Sequence, residues 1–176
     1  MKIENTSSKL LASGVLVLGL FAFNGPTQAA LISYSGTLDA NSPTWDRFFG
    51  PTFGPFDDSA VDGVFYSNQN FTVGTAGNYR MEVISFTGSD TVLALFQNSF
   101  DPIAGASPTF LNAYAYDDDD GVGFLSALNA IPLIAGTNYA LVTSTFLRGD
   151  IGDFTVEIEG PGAIRLASEV PAPATL

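Results

Sequence analysis

The sequence predicts an all-β protein, an antiparallel β-sandwich of jelly-roll or Ig-like type with about eight strands, preceded by a signal-peptide helix. Beyond the N-terminal segment the hydrophobic runs are short, rich in β-branched and aromatic residues, and separated by Gly, Pro, Asn and Asp. The segments Tyr79–Val83 and Phe154–Glu159 alternate apolar and polar residues. This period of two is typical of a strand with one buried face, and the short strands with turn-rich connections indicate a sandwich.

Eight segments have the length and composition of strands. They are Leu31–Leu38, Val64–Val73, Asn78–Thr87, Thr91–Gln97, Leu111–Tyr116, Phe124–Ile131, Asn138–Leu147 and Phe154–Glu159.

The N-terminal segment has the pattern of a cleavable secretory signal. Lys2 and Lys9 precede Leu10–Phe23, which carries no charge and is shorter than the ~20 residues that span a bilayer. Helix-breaking and small residues follow, and Ala29 is the expected cleavage position. We therefore divide the chain into a signal peptide (1–29), a β-sandwich domain (30–162) and a Pro/Ala-rich C-terminal tail (163–176), and we expect export without a stable membrane span.

The composition excludes several functional classes. The chain has no cysteine and no histidine, so it can form neither a disulfide nor a zinc–thiolate site, and it lacks the base of Ser-His-Asp and Cys-His catalysis. Its net charge of −12 repels phosphate backbones, so we expect no nucleic-acid partner. These absences favour a protein that binds over one that catalyses.

A long loop is expected at residues 39–63, between the first two predicted strands. It carries Trp45, Phe48, Phe49 and Phe53 among several glycines and prolines. Aromatic rings on a loop can form a flat surface on which sugar rings or partner side chains stack, so these four residues are candidate ligand-binding residues. In the alternative interpretation, the loop folds back and its rings close the open end of the sandwich.

The sharpest local feature is an acidic run, Asp117, Asp118, Asp119 and Asp120, followed by Gly121. Adjacent carboxylates repel one another, so a folded chain leaves them in water or neutralises them with a cation. A turn rich in Asp supplies oxygen ligands of the kind that Ca²⁺ prefers, although the spacing is not that of an EF-hand. The run is therefore either a calcium site or a solvated acidic loop.

Three segments in order resemble the bacterial pre-peptidase C-terminal domain family: Ser89–Phe96, Ala115–Gly121 and Leu133–Val142. The resemblance implies a non-catalytic β-sandwich, usually appended to secreted hydrolases, which in some members binds calcium and in others the matrix. It carries the acidic turn over to the four aspartates above and adds Asp90, the acid at the entry to the strand in the first of these segments, as a metal ligand. Asn138 departs from the pattern, because the family has a Tyr there.

The C-terminal end resembles the start of the sorting signal of PEP-CTERM exported proteins. The matching residues are Val170, Pro171, Pro173, Ala174, Thr175 and Leu176. Ala172 replaces the Glu of the motif, and the hydrophobic helix and basic tail of the family would lie beyond Leu176. The resemblance implies a sorting protease as a transient partner and a destination on the outer surface, or in the extracellular matrix, of a Gram-negative-type bacterium that makes exopolysaccharide. Alternatively, these residues form only a flexible terminus.

The expected function is that of a non-catalytic, exported β-sandwich binding module of the cell surface or matrix, stabilised by Ca²⁺ and associated with exopolysaccharide or with a matrix or surface protein. One alternative is a polysaccharide-degrading enzyme that uses Glu82, Glu157 or Glu159 as catalytic carboxylates. Another is a self-assembling structural or adhesive subunit whose edge strands pair between copies.

Overall fold

The computed structural model describes residues 29–49, 57–102 and 112–167, without the side chains at positions 48, 49 and 57–62. The predicted signal peptide before Ala29 and the sorting motif at 170–176 lie outside these residues. In the ranges given, the regular secondary structure consists of strands, and no helix has the length and hydropathy to cross a membrane.

Ten strands make up the described part of the chain, which confirms the predicted all-β fold. They are β1 (Ala29–Leu38), β2 (Thr44–Phe49), β3 (Asp57–Val73), β4 (Gly77–Phe86), β5 (Thr91–Gln97), β6 (Ala113–Asp117), β7 (Ala127–Leu133), β8 (Asn138–Thr145), β9 (Gly152–Pro161) and β10 (Ile164–Leu166).

The strands form two antiparallel sheets. The first has four strands in the order β1-β9-β4-β7, and the second has six, in the order β10-β3-β8-β5-β6 with β2 paired to β3. From β3 to β5 and from β6 to β9 the chain passes to the other sheet at every connection. The connections β4–β5, β6–β7 and β8–β9 leave from the same end of the sandwich, because Thr91 pairs with Thr145 and Leu93 pairs with Asp117. This end of the molecule is called the acidic end below.

Two strands lie in segments for which the sequence predicted none. β2 lies inside the expected 39–63 loop, and the first part of β3 occupies the end of the same segment. β3 is 17 residues long, and β8 pairs with it only from Tyr66 to Thr72, so β2 pairs with the part before that stretch. β10 lies in the expected C-terminal tail and pairs with the end of β3. Both additional strands therefore depend on the length of β3.

The main core lies between the two sheets and follows the predicted alternation. Tyr79, Met81 and Val83 of β4 are buried, and so are Phe154, Val156 and Ile158 of β9. The six-stranded sheet contributes alternate residues of β5 and β8, among them Leu93, Leu95 and Leu141, to the same cluster. The alternation in the sequence therefore identified the inward face of β4 and β9 correctly.

Tyr79 ties the start of β4 to the end of β9. Its hydroxyl lies 2.7 Å from the carbonyl oxygen of Thr75 and 3.0 Å from that of Pro161, so its single O–H is shared between the two carbonyls. Its ring lies against Gly160, where a Cβ atom would overlap the ring carbons. A side chain at position 160 would therefore displace a fully buried tyrosine.

We expect Gly160→Ala to lower the free energy of unfolding by about 1–3 kcal/mol, because the added methyl group overpacks the core beneath Tyr79. Gly74→Ala is the matched control: its Cβ atom would lie 3.4 Å from the nearest neighbouring atom, the carbonyl oxygen of Ala163. Urea denaturation of the two variants measures the difference. Equal stabilities would contradict the close packing of Tyr79 on Gly160.

Candidate functional site

Asp117 begins the acidic turn and holds it in place. It is the last residue of β6 and is only 8% exposed. Its Oδ2 atom accepts hydrogen bonds from the backbone N–H of Asp120, at 3.0 Å, and from that of Ala127, at 2.9 Å. Burial raises the pKa of this carboxyl, and the two backbone hydrogen bonds lower it in part. Asp117 therefore fixes the turn and the start of β7, and one of its oxygens is already occupied.

Asp90 comes from a different connection, the one between β4 and β5. Its Oδ1 atom is buried and has no hydrogen-bond partner among the described residues. Burial, together with the negative charges of Asp119 and Asp118, raises the pKa of Asp90 to about 6. The acid that the resemblance carried over thus acts electrostatically on the acidic turn, although 27 positions separate Asp90 from Asp117.

Asp150 is a third contributor, from the β8–β9 connection. Its Oδ2 atom accepts hydrogen bonds from the backbone N–H of Ser89, at 2.9 Å, and of Asp90, at 3.2 Å. Its charge also raises the pKa of Asp90. The sequence analysis missed Asp150, because nothing in its local pattern links it to the acidic run and only the sandwich topology brings the three connections together.

Arg47 supplies positive charge close to these carboxylates. It is 1% exposed, and it donates to the hydroxyl of Tyr116, at 2.9 Å, and to the carbonyl of Phe146, at 2.7 Å. Its guanidinium carbon lies 4.4 Å from the centre of the Phe146 ring, within the range of a cation–π contact. The charge lowers the pKa of both Asp90 and Asp118. A single buried arginine therefore offsets part of the negative charge at the acidic end.

The carboxylates do not form a complete metal cage by themselves. In the described ranges, no three or more acidic side chains are arranged so that they could hold a metal ion. The acidic end nevertheless offers the ligands that a hard cation prefers. These are mainly carboxylate oxygens, and one oxygen of Asp90 has no hydrogen-bond partner among the described residues. A bound cation would therefore need backbone carbonyls or water as further ligands.

Of the four aromatic candidates in the expected loop, Trp45 is the one whose side chain the structure describes, and it is folded back onto the protein. Trp45 is 3% exposed and packs on the outer face of the six-stranded sheet, with its ring centre 6.1 Å from that of Phe96 and 5.3 Å from that of Phe100. Its indole N–H donates to Ser144 Oγ at 2.9 Å. Trp45 therefore covers this outer face, and its ring does not offer a stacking surface to solvent. The side chains of Phe48 and Phe49, and all of Phe53, lie outside the described residues.

The candidate catalytic carboxylates lie on the outer face of the four-stranded sheet. Glu82 forms an ion pair with Arg80, and Glu157 lies directly opposite Glu82 in the sheet register. Glu159 is exposed further along β9. A cavity of about 440 Å³ opens on the same face. Glu82 is 8% exposed beside Arg80, and none of the three glutamates lines this cavity.

Fold and site together define an antiparallel β-sandwich in which three connections gather aspartates at one end. Compared with models of known protein families and with curated proteins, the chain gives no match. The structural evidence for function is therefore the geometry of the chain itself.

The raised pKa of Asp90 makes the stability of the protein depend on pH. The folded-state pKa of about 6 exceeds the unfolded value of 3.8, so the folded state binds the proton more tightly. The stability that this proton contributes is fully present below about pH 4 and is lost as the pH rises through about 6. We expect Asp90→Asn to remove this dependence and to be more stable than the parent protein at pH 7.

Thermal unfolding between pH 4 and pH 7 measures this effect in the absence of divalent cations. Glu159→Gln is the control, because it removes one carboxylate from an exposed strand position. Parallel profiles for the parent protein and Asp90→Asn would show that Asp90 does not titrate in this window.

Proposed function

We propose that the protein is a non-catalytic binding module, exported to the cell surface or extracellular matrix of a Gram-negative-type bacterium, where it associates with polysaccharide and is stabilised by Ca²⁺. The observation that carries the proposal is the convergence of Asp90 and the acidic turn at one end of the sandwich, with a carboxylate oxygen of Asp90 buried and unpartnered there. Each of these groups belongs to a connection between the sheets, so an ion bound among them would hold the connections together.

The electrostatics of the acidic end support a cation. The charges of Asp118, Asp119 and Asp150 all raise the pKa of Asp90, and the charge of Arg47 lowers it. A divalent cation would relieve this repulsion and stabilise the folded state by binding to it. Because the carboxylates do not form a cage alone, we expect an affinity in the range of extracellular calcium modules, with a Kd on the order of 10⁻⁴–10⁻³ M.

A binding function without catalysis is supported by the chemistry of the side chains. The chain has no histidine and no cysteine, so the commonest general base and the thiolate nucleophile are absent from the whole sequence. Of the glutamates considered as catalytic, Glu82 is already neutralised by Arg80. Glycosidases act through two carboxyl groups that flank a bond held in a cleft, whereas the cavity on this face of the sheet is lined by none of the three glutamates.

The destination of the protein rests on its two ends. The N-terminal segment has the charge and hydropathy pattern of a secretory signal. The C-terminal Val170–Leu176 resembles a surface-sorting signal found in bacteria that make exopolysaccharide. Association with exopolysaccharide or with a matrix protein, and transient recognition by a sorting protease, follow from that resemblance as part of the proposal.

We expect millimolar calcium to raise the melting temperature of the parent protein by a few degrees. Binding that adds ~1 kcal/mol to the free energy of unfolding raises the melting temperature of a domain of this size by a few degrees. Asp90→Asn and Asp119→Asn should each abolish the calcium-dependent shift, whereas Glu159→Gln should retain it. Differential scanning calorimetry with CaCl₂, against NaCl at equal ionic strength, measures the shift. If the parent protein shows no shift, calcium has no part in its function.

The location is tested by fractionating cells that produce the protein with a C-terminal epitope inserted before Ser168. We expect the epitope at the cell surface or in the medium, and we expect deletion of residues 2–28 to keep it in the cytoplasm. An epitope that remains cytoplasmic with the N-terminal segment intact would contradict export.

A further inference from the structure

A second polar feature lies on the outer face of the six-stranded sheet, apart from the acidic aspartates. It is a cavity of about 360 Å³ lined by Asn68, Asn70, Asn98, Ser99, Phe100 and Asn138, called the asparagine groove below. Its lining contains four amide side chains, one hydroxyl and one aromatic ring, and no charged residue.

The backbone of three strands holds these amides together. Asn68 pairs with Val142 and Asn70 pairs with Ala140, so the two asparagines of β3 share the face on which Val142 and Ala140 are buried. At the end of β5, the N–H of Asn98 donates to the carbonyl of Asn138 at 2.8 Å. Asn68, Asn70 and Asn138 therefore lie on paired strands, which position side chains more rigidly than a free loop would, and Asn98 follows the end of β5 directly.

Asn68 has an unused hydrogen-bonding group. Its Oδ1 atom is buried and has no partner in the part of the chain that the structure describes. A buried acceptor without a partner costs free energy comparable to a lost hydrogen bond, so turning the Asn68 amide until a ligand hydroxyl can donate to it would be favoured. Asn70, Asn98 and Asn138 are exposed, and their amides are open to the same ligand.

Phe100 supplies an apolar wall to the groove. Its ring centre lies 4.8 Å from that of Phe96, 5.1 Å from that of Tyr66 and 5.3 Å from that of Trp45. These three rings fix the orientation of Phe100, which remains partly exposed. A fixed aromatic face beside amide groups can pack against the apolar C–H face of a pyranose ring while the amides bond its hydroxyls.

We infer that the asparagine groove binds a neutral sugar residue, through hydrogen bonds from the asparagine amides to neighbouring hydroxyls and packing of the ring on Phe100. An amide offers two donors and an acceptor, which matches the mixed donor and acceptor character of a hydroxyl. The net negative charge of the chain disfavours uronates and other acidic sugars. The cavity volume is near the lower end of the ~300–1,000 Å³ typical of ligand sites, which suits a single sugar unit.

This inference rests on the proposed binding function, since it names the ligand class and the surface. The sugar could be free or part of a polysaccharide, and both present the same hydroxyls. The site differs from the aromatic loop residues that the sequence suggested, because Trp45 lies buried behind Phe100 and supports it.

The test is a titration of ¹⁵N-labelled full-length protein, followed by NMR, with the methyl glycosides of glucose, galactose and mannose, with glucuronate, and with dextran as a polymer. We expect a neutral glycoside to shift the resonances of groove residues and glucuronate to bind more weakly. Asn70→Ala and Asn138→Ala should each weaken binding roughly ten-fold, as the loss of one hydrogen bond predicts. Asn41→Ala, at an exposed asparagine in the β1–β2 connection, should leave the affinity unchanged.

Binding to the polymer but not to the monosaccharides would identify a chain-bound sugar as the ligand, provided that the two groove variants weaken it. A second measurement, retention of the protein on insoluble polysaccharide, separates a failure of the groove from a failure of the proposed polysaccharide-binding function. Retention that persists in both variants would contradict the groove and leave the binding function intact. The absence of both retention and resonance shifts would overturn the groove and the polysaccharide function together, while tighter binding of glucuronate would overturn the neutral-sugar assignment.

Discussion

The six-stranded sheet must be covered on both of its faces, and most of the structure follows from this constraint. Every residue from Thr91 to Phe96 of β5 is buried, as is every residue from Tyr139 to Thr145 of β8. The four-stranded sheet covers only one face. The other is covered by the chain around Trp45, together with Phe100 and Phe146. A strand that is apolar on both sides cannot face water, so the segment that covers it is part of the fold.

The covering segment also links the two polar features of the molecule. Trp45 and Arg47 of β2 both lie buried against this face, two positions apart along the strand. The guanidinium of Arg47 offsets charge at the acidic end, while the Trp45 ring supports Phe100 at the asparagine groove. A buried arginine is tolerated here because Nη1 and Nη2 both donate hydrogen bonds and because the neighbouring carboxylates offset its charge. The acidic end and the groove therefore depend on the same six-residue strand.

In each sheet, one buried tyrosine ties the turn that precedes its strand to the main core. Tyr79 of β4 donates to the carbonyl of Thr75, four positions upstream, and Tyr139 of β8 accepts a hydrogen bond from the N–H of Ile134, five positions upstream. Each ring lies in the main core and each hydroxyl reaches the turn that precedes its strand. The polar end of the ring satisfies backbone groups that would otherwise be buried without partners. The conformation of both turns is thus coupled to core packing.

The sequence by itself determined the fold class, the eight strands with clear apolar patterns and the inward faces of β4 and β9, because these depend on alternation and turn residues that are local in the chain. It also identified the acidic turn and, through a family resemblance, Asp90. Only the tertiary structure decided that Asp150 and Arg47 join them, since both come from segments whose own pattern carries no sign of the contact. The strands β2 and β10 were missed for the same reason: each forms because the long β3 offers it backbone partners, and Trp45 is buried because the apolar outer face of β5 and β8 has to be covered. Pairing and burial between distant segments are properties of the assembled sheets, and local periodicity does not encode them.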